Sequence, residues 1–142
     1  MRTVAQILDE KGRSVISVGP EDSIYHALEV MAERDIGALL VMEGDSLVGV
    51  FSERDYARKV ILIGKSSRDM AVREAMTASV VTVEPDKTIR DCMNLMSDRH
   101  IRHLPVVVDG CVEGVISIGD VVHAVITDQE FMIDQLQRYI QS

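Results

Sequence analysis

The stretch Gly49-Val50-Phe51-Ser52-Glu53-Arg54-Asp55 returns 65 residues later as Gly114-Val115-Ile116-Ser117-Ile118-Gly119-Asp120. In both copies a short apolar run ends at a serine, and an aspartate follows three residues after that serine. Other identities share the offset of 65: Pro20 and Pro85, Ile24 and Ile89, Met31 and Met96, Leu39 and Leu104. Two copies without a third indicate a duplicated fold rather than a repeat array.

Each copy predicts the order strand, helix, strand, strand, helix. A β-rich run at 14–18 or 79–83 is followed by a proline. Ser23 or Thr88 then begins a helix with apolar residues at three- and four-residue spacing. Two apolar strands joined by a glycine-containing hairpin come next, and the quoted motif leads into the last helix. The predicted fold class is α/β (α+β), built from two equivalent repeats.

The chain divides into three segments by pattern. Residues 1–64 hold the first repeat and a short N-terminal helix, and residues 65–127 hold a polar linker and the second repeat. Residues 128–142 form a helical tail with Met132, Leu136, Tyr139 and Ile140 on one side. We expect the tail to pack on its own protein or on a second subunit.

Composition disfavours several classes of function. The net charge is −8, from 23 acidic and 15 basic residues, so the surface as a whole repels nucleic acid and anionic lipid. The start of the chain does not resemble a signal peptide, and no apolar run reaches the roughly 18 residues that span a bilayer. Neither cysteine has a partner at metal-binding spacing. We expect a cytoplasmic protein that binds neither nucleic acid nor membrane, with no metal site and no catalytic residues.

The repeated motif allows two interpretations. A serine at a helix N-terminus offers a hydroxyl and backbone N–H groups to a phosphate, and a carboxylate one turn later can accept from a ribose diol. The same Ser-x-x-Asp spacing is also a capping box that needs no ligand. The two roles are compatible, and the sequence alone does not choose between them.

The copies differ in charge just before their second strand. Arg102 and His103 stand where the first copy has Gly37 and Ala38. Arginine is well suited to forming charge-assisted hydrogen bonds with phosphate. The alternative is a solvent-facing pair at a strand edge.

The doubled motif, the repeated element order and the segment His103-Leu104-Pro105-Val106 closely resemble a tandem CBS-domain pair, over almost the whole chain. The resemblance implies a pseudo-twofold module that senses adenosine ligands rather than catalysing a reaction. The ligands that it implies are AMP, ADP, ATP, NAD(H) and S-adenosylmethionine. It also implies a homodimer and an effector protein that the sequence does not identify.

Carried over by position, the resemblance implies two ligand sites. The first would use Arg102, His103, Ser117, Gly119 and Asp120 of the second copy with Ile16, Ile36, Gly37 and Ala38 of the first. The mirror site would use Ser52, Arg54 and Asp55 with Val81 and Ile101. The aspartates would hold the ribose, and Arg102 and His103 would face the phosphate. Since only the first site has the Arg-His pair, we expect the two sites to differ in affinity.

Two other classes of function compete with the sensor. In a ligand-independent interaction module, the Ser-x-x-Asp motifs would only cap helices and the tail would dock a partner. A free-standing enzyme would need a nucleophile, a metal set or an acid–base pair, and the sequence supplies none of them.

Overall fold

The fold is taken from a computed structural model that describes residues 1–141. Its helices are α1 (Val4–Lys11), α2 (Ile24–Arg34), α3 (Glu53–Tyr56), α4 (Ile89–Arg99) and α5 (Ile118–Gln141). Its strands are β1 (Ser17–Val18), β2 (Ala38–Glu43), β3 (Ser46–Ser52), β4 (His103–Val108) and β5 (Cys111–Ser117). Mixed α/β architecture with small sheets confirms the predicted fold class.

The chain forms two compact units that combine distant segments. Among the described residues, unit 1 consists of 1–14, 82–109 and 113–141, and unit 2 of 15–81 and 110–112. Segment 1–14, which precedes the first repeat, therefore belongs with the body of the second. Segment 65–81, which precedes the second repeat, belongs with the body of the first. The predicted boundaries at 64/65 and 127/128 divide the chain by sequence pattern, a different division from these spatial units.

Unit 2 is built on a three-stranded sheet in the order β1-β2-β3. β1 is parallel to β2, and β2 and β3 form an antiparallel hairpin with Leu39 opposite Phe51. Gly44 turns the hairpin with φ of +60°, a conformation that glycine adopts at little cost. The core of this unit consists of Val18, Ile24, Ala27, Met31, Leu39, Val41, Phe51, Val60, Met70, Val72 and Ala75.

Unit 1 contains β4 and residues 113–117 of its hairpin partner β5, and α4 packs against α5. Thr88 caps α4 by accepting from the Asp91 amide, as the sequence predicted. The buried apolar residues of this unit include Val4, Ile7, Leu8, Ile89, Cys92, Met96, Leu104, Val106, Ile116 and Val121.

The segments that precede each repeat attach by the same hydrogen bonds. In unit 1 the Val4 amide donates to Lys87 O at 2.8 Å, and the Ile89 amide donates to Arg2 O at 3.1 Å. In unit 2 the Val72 amide donates to Asp22 O at 2.8 Å, and the Ile24 amide donates to Met70 O at 3.0 Å. The attachment is thus duplicated with the rest of the fold, although residues 4 and 72 are 68 positions apart rather than 65.

Three predicted elements differ in the structure. The run 79–83 was expected to be a strand and makes only an isolated parallel bridge, between Val83 and Val106. The last helix of the first repeat is a single α-turn that continues as a π-helical turn at Ala57–Ile61. The tail is not a separate helix, because α5 runs unbroken for 24 residues from Ile118 to Gln141. Ser142, the last residue of the predicted tail, lies outside the described residues.

Candidate functional site

Both Ser-x-x-Asp motifs form capping boxes. The Ser117 amide donates to Asp120 Oδ2 at 2.8 Å, and the Asp120 amide donates to Ser117 Oγ at 3.1 Å. The corresponding bonds between Ser52 and Asp55 are 3.0 and 3.2 Å long. The residues of the motif are therefore needed to begin α3 and α5, whatever else they bind.

Backbone hydrogen bonds join each capping box to the segment before the second strand of the same repeat. The Ile118 amide donates to Arg102 O at 2.8 Å, and the Glu53 amide donates to Gly37 O at 3.1 Å. In unit 1 this contact brings Arg102 to the start of α5, beside the backbone of Ser117. The second-copy residues of the first predicted site are thus neighbours: Arg102, His103, Ser117, Gly119 and Asp120.

The remaining predicted site residues are distributed over both units. Unit 2 contains Ile16, Ile36, Gly37 and Ala38, and it also contains Ser52, Arg54, Asp55 and Val81. Unit 1 contains Ile101. Each of the two predicted ligand sites therefore draws residues from both units, and both sites remain predictions made from the sequence.

Asp55 is fixed by contacts within unit 2. Its side chain is buried, and its Oδ2 accepts from the amide and the hydroxyl of Ser52. Its Oδ1 accepts from Thr77 Oγ1 at 3.1 Å and lies 3.2 Å from Lys59 Nζ. Both carboxylate oxygens therefore have internal partners, which favours a structural role for this residue.

Asp120 is held differently from Asp55. Within residues 1–141 its hydrogen bonds involve one oxygen, Oδ2, which accepts from the Ser117 amide and from Lys11 Nζ at 2.6 Å. The same Lys11 ammonium donates to Val115 O at 2.8 Å. Burial alone would raise the pKa of Asp120, but the hydrogen bonds from Lys11 and Ser117 outweigh it and hold that pKa below its ordinary value. Asp120 is an anion at neutral pH, and its side chain is 21% exposed against 11% for Asp55.

A partly open pocket of about 140 Å³ borders Asp120 within unit 1. Its lining is mostly charged or polar: Arg2, Glu10, Lys11, Asp120 and His123, with Ile7 and Ala124. Pockets that enclose a whole small-molecule ligand usually measure roughly 300 Å³ or more. This pocket could take only part of a nucleotide, such as a sugar or a single phosphate.

Arg2 and Lys11 were missed at the sequence level. Both lie in the segment before the first repeat, and a comparison at the offset of 65 does not reach them. A comparison at an offset of 68 aligns Val4 with Val72 and Leu8 with Met76, which would have linked this segment to the other copy's body. It would not have identified Lys11, because the matching residue is Ser79.

Two further observations limit the chemistry of the described part of the chain. No group of three or more His, Cys, Asp or Glu residues within 1–141 could hold a metal ion. Burial raises the pKa of the Cys92 thiol to about 11, so the thiolate that could attack a substrate or bind a metal is suppressed. In the same residues, no helix is both long and apolar enough to cross a bilayer.

The family profile of the CBS domain matches residues 4–62 and again 72–127. The chain belongs to the CBS-domain family. A CBS pair is a regulatory module, and the two matches together cover both repeats and the segments that precede them.

Known CBS proteins agree with this assignment. A mitochondrial CBS domain-containing protein of Arabidopsis thaliana is 36% identical over 98% of this chain and 72% of its own length. A protein with CBS domains from Burkholderia ambifaria MC40-6 is 50% identical, with a TM-score of 0.88 over 90% of this chain and 96% of the other. Since the plant relative is mitochondrial, the cytoplasmic location stays a prediction for this CBS pair.

A third solved CBS pair shares the fold at lower identity. It is 24% identical, with a TM-score of 0.78 over 90% of this chain and 98% of the other, and it was solved with 5′-methylthioadenosine and S-adenosyl-L-methionine.

Proposed function

We propose that this CBS pair is a non-catalytic regulatory module that binds an adenosine-containing ligand and signals to an effector protein. The candidate ligands are AMP, ADP, ATP, NAD(H) and S-adenosylmethionine. The observation that supports the proposal most is the state of Asp120. It is a carboxylate held ionised at the start of a long helix, with its contacts on one oxygen and a pocket beside it.

Each residue around Asp120 has a role in the proposal. Asp120 accepts hydrogen bonds from the ribose diol through Oδ1. The first turn of α5 and the Ser117 hydroxyl face the phosphate, since a helix N-terminus favours an anion. Arg102 and His103 add positive or hydrogen-bonding groups beside it. Because the overall charge is −8, this local cluster is what allows an anionic ligand to bind.

The ligand class is supported by the solved CBS pair that carries 5′-methylthioadenosine and S-adenosyl-L-methionine. Both of those ligands contain adenosine and neither contains a phosphate. The part that they share with AMP is the adenine and the ribose, which is the part that Asp120 recognises in the proposal. The presence of Arg102 favours a phosphorylated member of the class here.

Calorimetric titration with AMP, ADP, ATP, NADH and S-adenosylmethionine tests this function. We expect Asp120→Asn to weaken the tightest ligand by at least tenfold, about 1.4 kcal/mol, because the ribose loses a charged acceptor. Arg102→Gln should weaken AMP but leave S-adenosylmethionine almost unchanged. Folded wild-type protein that gives no heat with any of the five ligands would contradict the proposal.

A second candidate function is a ligand-independent interaction module. The capping boxes favour it, since the motif residues already have a structural role without a ligand. The exposed apolar residues of the tail favour it as well, Leu136 being 56% and Ile140 80% exposed. A protein that forms a dimer or captures a partner but gives no heat with nucleotides would establish this alternative. In either case we propose a homodimer as the working assembly.

A further inference from the structure

Lys11 connects the end of α1 to the point where β5 leads into α5. Its Nζ donates to Val115 O at 2.8 Å and to Asp120 Oδ2 at 2.6 Å, across 104 and 109 positions of sequence. Lys11 is the last residue of α1, and Gly12 caps that helix. The end of one helix therefore brings an ammonium group to the beginning of another.

The Lys11 ammonium has a donor left for a ligand. A helix N-terminus disfavours cations, so this ammonium depends on Asp120 and on the carbonyl of Val115 for its stabilisation. An ammonium has three N–H donors, and these two contacts use two of them. Within residues 1–141 the third donor has no acceptor in the protein, and the Lys11 side chain is 35% exposed beside the pocket. A ligand in the pocket can accept from it.

The acidic and basic side chains that line the pocket balance each other. Arg2 and Lys11 are positive, and Glu10 and Asp120 are negative. Arg2 cannot compensate for a change elsewhere in the pocket, because its guanidinium already binds two carboxylates, Glu10 and Asp128. Removal of the Lys11 charge would therefore leave Asp120 uncompensated and make the pocket negative.

Ligands that share adenosine but differ in charge respond differently to this balance. The phosphate of AMP carries up to about two negative charges at neutral pH. Adenosine carries none, and S-adenosylmethionine has a positively charged sulfonium and no phosphate. An uncompensated carboxylate repels AMP, has little effect on adenosine and attracts the sulfonium. A unit charge about 6 Å from another changes an affinity roughly tenfold or more at the effective dielectric constants of partly exposed sites.

We propose that Lys11 determines the charge class of the ligand at Asp120, by compensating that carboxylate and by donating its third N–H to an anionic group of the ligand. The inference rests on the proposed adenosine-binding function and adds a specificity-determining residue from the segment before the first repeat. With Lys11 in place, the site selects phosphate-bearing over cationic adenosine compounds. If Lys11 only fastened α1 to α5, its loss would weaken ligands of every charge alike.

Calorimetric titration of the full chain with AMP, adenosine and S-adenosylmethionine tests this role, at about pH 8, where Asp120 stays ionised. In Lys11→Met the affinity for AMP relative to adenosine should fall at least about tenfold, whereas that for S-adenosylmethionine relative to adenosine should hold or rise. Lys11→Arg keeps the charge and should keep the wild-type order. Arg90→Met removes the same charge from an exposed position of α4, and as the matched control it should also keep that order.

Salt dependence separates the charge of Lys11 from its shape. The loss of AMP affinity in Lys11→Met should shrink between about 0.01 M and about 1 M salt, because the Debye length falls from about 30 Å to about 3 Å. Circular dichroism checks the fold of each variant. Lys11→Gln is also neutral but keeps a donor for Asp120, and it should give the same order of ligands if Lys11→Met does not fold.

The outcomes distinguish this inference from the proposed function. Equal weakening of all three ligands in the neutral Lys11 variants, or an equal loss of AMP affinity in Arg90→Met, would overturn the role of Lys11 and leave the adenosine site in place. Folded wild-type protein that binds none of the three ligands would overturn the proposed function and this inference together.

Discussion

Gly49 and Gly114 each lie against a side chain of the segment that precedes the other repeat, Met76 at Gly49 and Leu8 at Gly114. A Cβ on Gly49 would lie 2.6 Å from Met76 Sδ and 3.1 Å from Thr77 O. A Cβ on Gly114 would lie 2.8 Å from Leu8 Cδ2. The sequence showed that both repeats have glycine here, but not why. The reason is a close approach of Met76 and Leu8, which come from outside the aligned repeats.

Replacing Gly49 by alanine should therefore destabilise unit 2. The added methyl group meets a backbone oxygen that cannot move away cheaply, so we expect a loss of about 1–3 kcal/mol in unfolding free energy. Gly37→Ala is the matched control, because its nearest neighbour, the Glu53 carboxyl, lies at 3.9 Å. Denaturant titration compares the two, and equal stability of both variants would contradict the packing argument.

The ion pair between Lys11 and Asp120 should make the unfolding free energy of unit 1 depend on pH in the acid range. The folded pKa of Asp120 is lowered, so its contribution is present above the unfolded value and is lost as the pH falls through the lowered folded value. In Lys11→Met the hydrogen bond that lowers the pKa of Asp120 is lost while burial still raises it, so the pKa of Asp120 rises. We expect acid unfolding to begin at a higher pH, with roughly 1 kcal/mol lost at neutral pH.

Arg13→Met is the control for Lys11→Met, because Arg13 pairs with Asp9 where both side chains are well exposed. It should leave acid unfolding almost unchanged. Circular dichroism followed from pH 7 to acid makes the comparison. A shift of equal size in the two variants would show that the loss of any positive charge on this segment has the same effect.

The first helix of each repeat was easier to predict than the strand at 79–83 or the helix that ends each repeat. Helices α2 and α4 begin at the capping residues that the sequence indicated. The strand at 79–83 was not observed, because β propensity does not supply a pairing partner and only Val83 bridges to β4. The continuity of α5 was also missed. The first repeat meets Gly64 and a polar linker after its last helix, whereas residues 120–141 contain no glycine or proline that would end one.

A proline late in α5 should unwind only the tail. Gln135→Pro removes an amide donor inside the exposed part of the helix, at a local cost of about 3 kcal/mol. The helical signal in far-ultraviolet circular dichroism should fall by a few residues, while the core that includes Val121 stays protected in hydrogen exchange. Gln135→Ala should raise the helical signal slightly. Loss of protection at Val121 would show that the tail supports unit 1.

The division of the whole molecule into two units predicts which fragments fold. Residues 15–81 include Met70, Val72 and Ala75, which belong to the core of unit 2. Residues 1–64 lack these three side chains and keep α1 without Lys87 and Ile89, to which its segment is hydrogen-bonded. Burial of Val72 alone is worth about 1.5–3 kcal/mol. We expect fragment 15–81 to fold and fragment 1–64, which matches the sequence repeat, to stay mostly unfolded.

Dispersion of the amide signals in nuclear magnetic resonance spectra of the two fragments decides this prediction. Mixing fragment 1–64 with fragment 65–141 is the complementary experiment, and it should restore the native spectrum if the fragments exchange their leading segments. A folded fragment 1–64 on its own would contradict the division into these units. The duplicated motif predicted the two-copy architecture, but which segment completes which copy depends on contacts that sequence spacing does not reveal.

The exchange of leading segments also bears on how such a chain could have arisen. In a polypeptide with a single copy, the leading segment would not pack on the body that follows it. The core could then be completed only by the leading segment of another molecule, so folding would depend on protein concentration. Joining two copies makes that encounter intramolecular, at an effective concentration that can reach the millimolar range for short flexible connections. Gene fusion would then have made folding independent of expression level, and the sequences of the two copies could diverge.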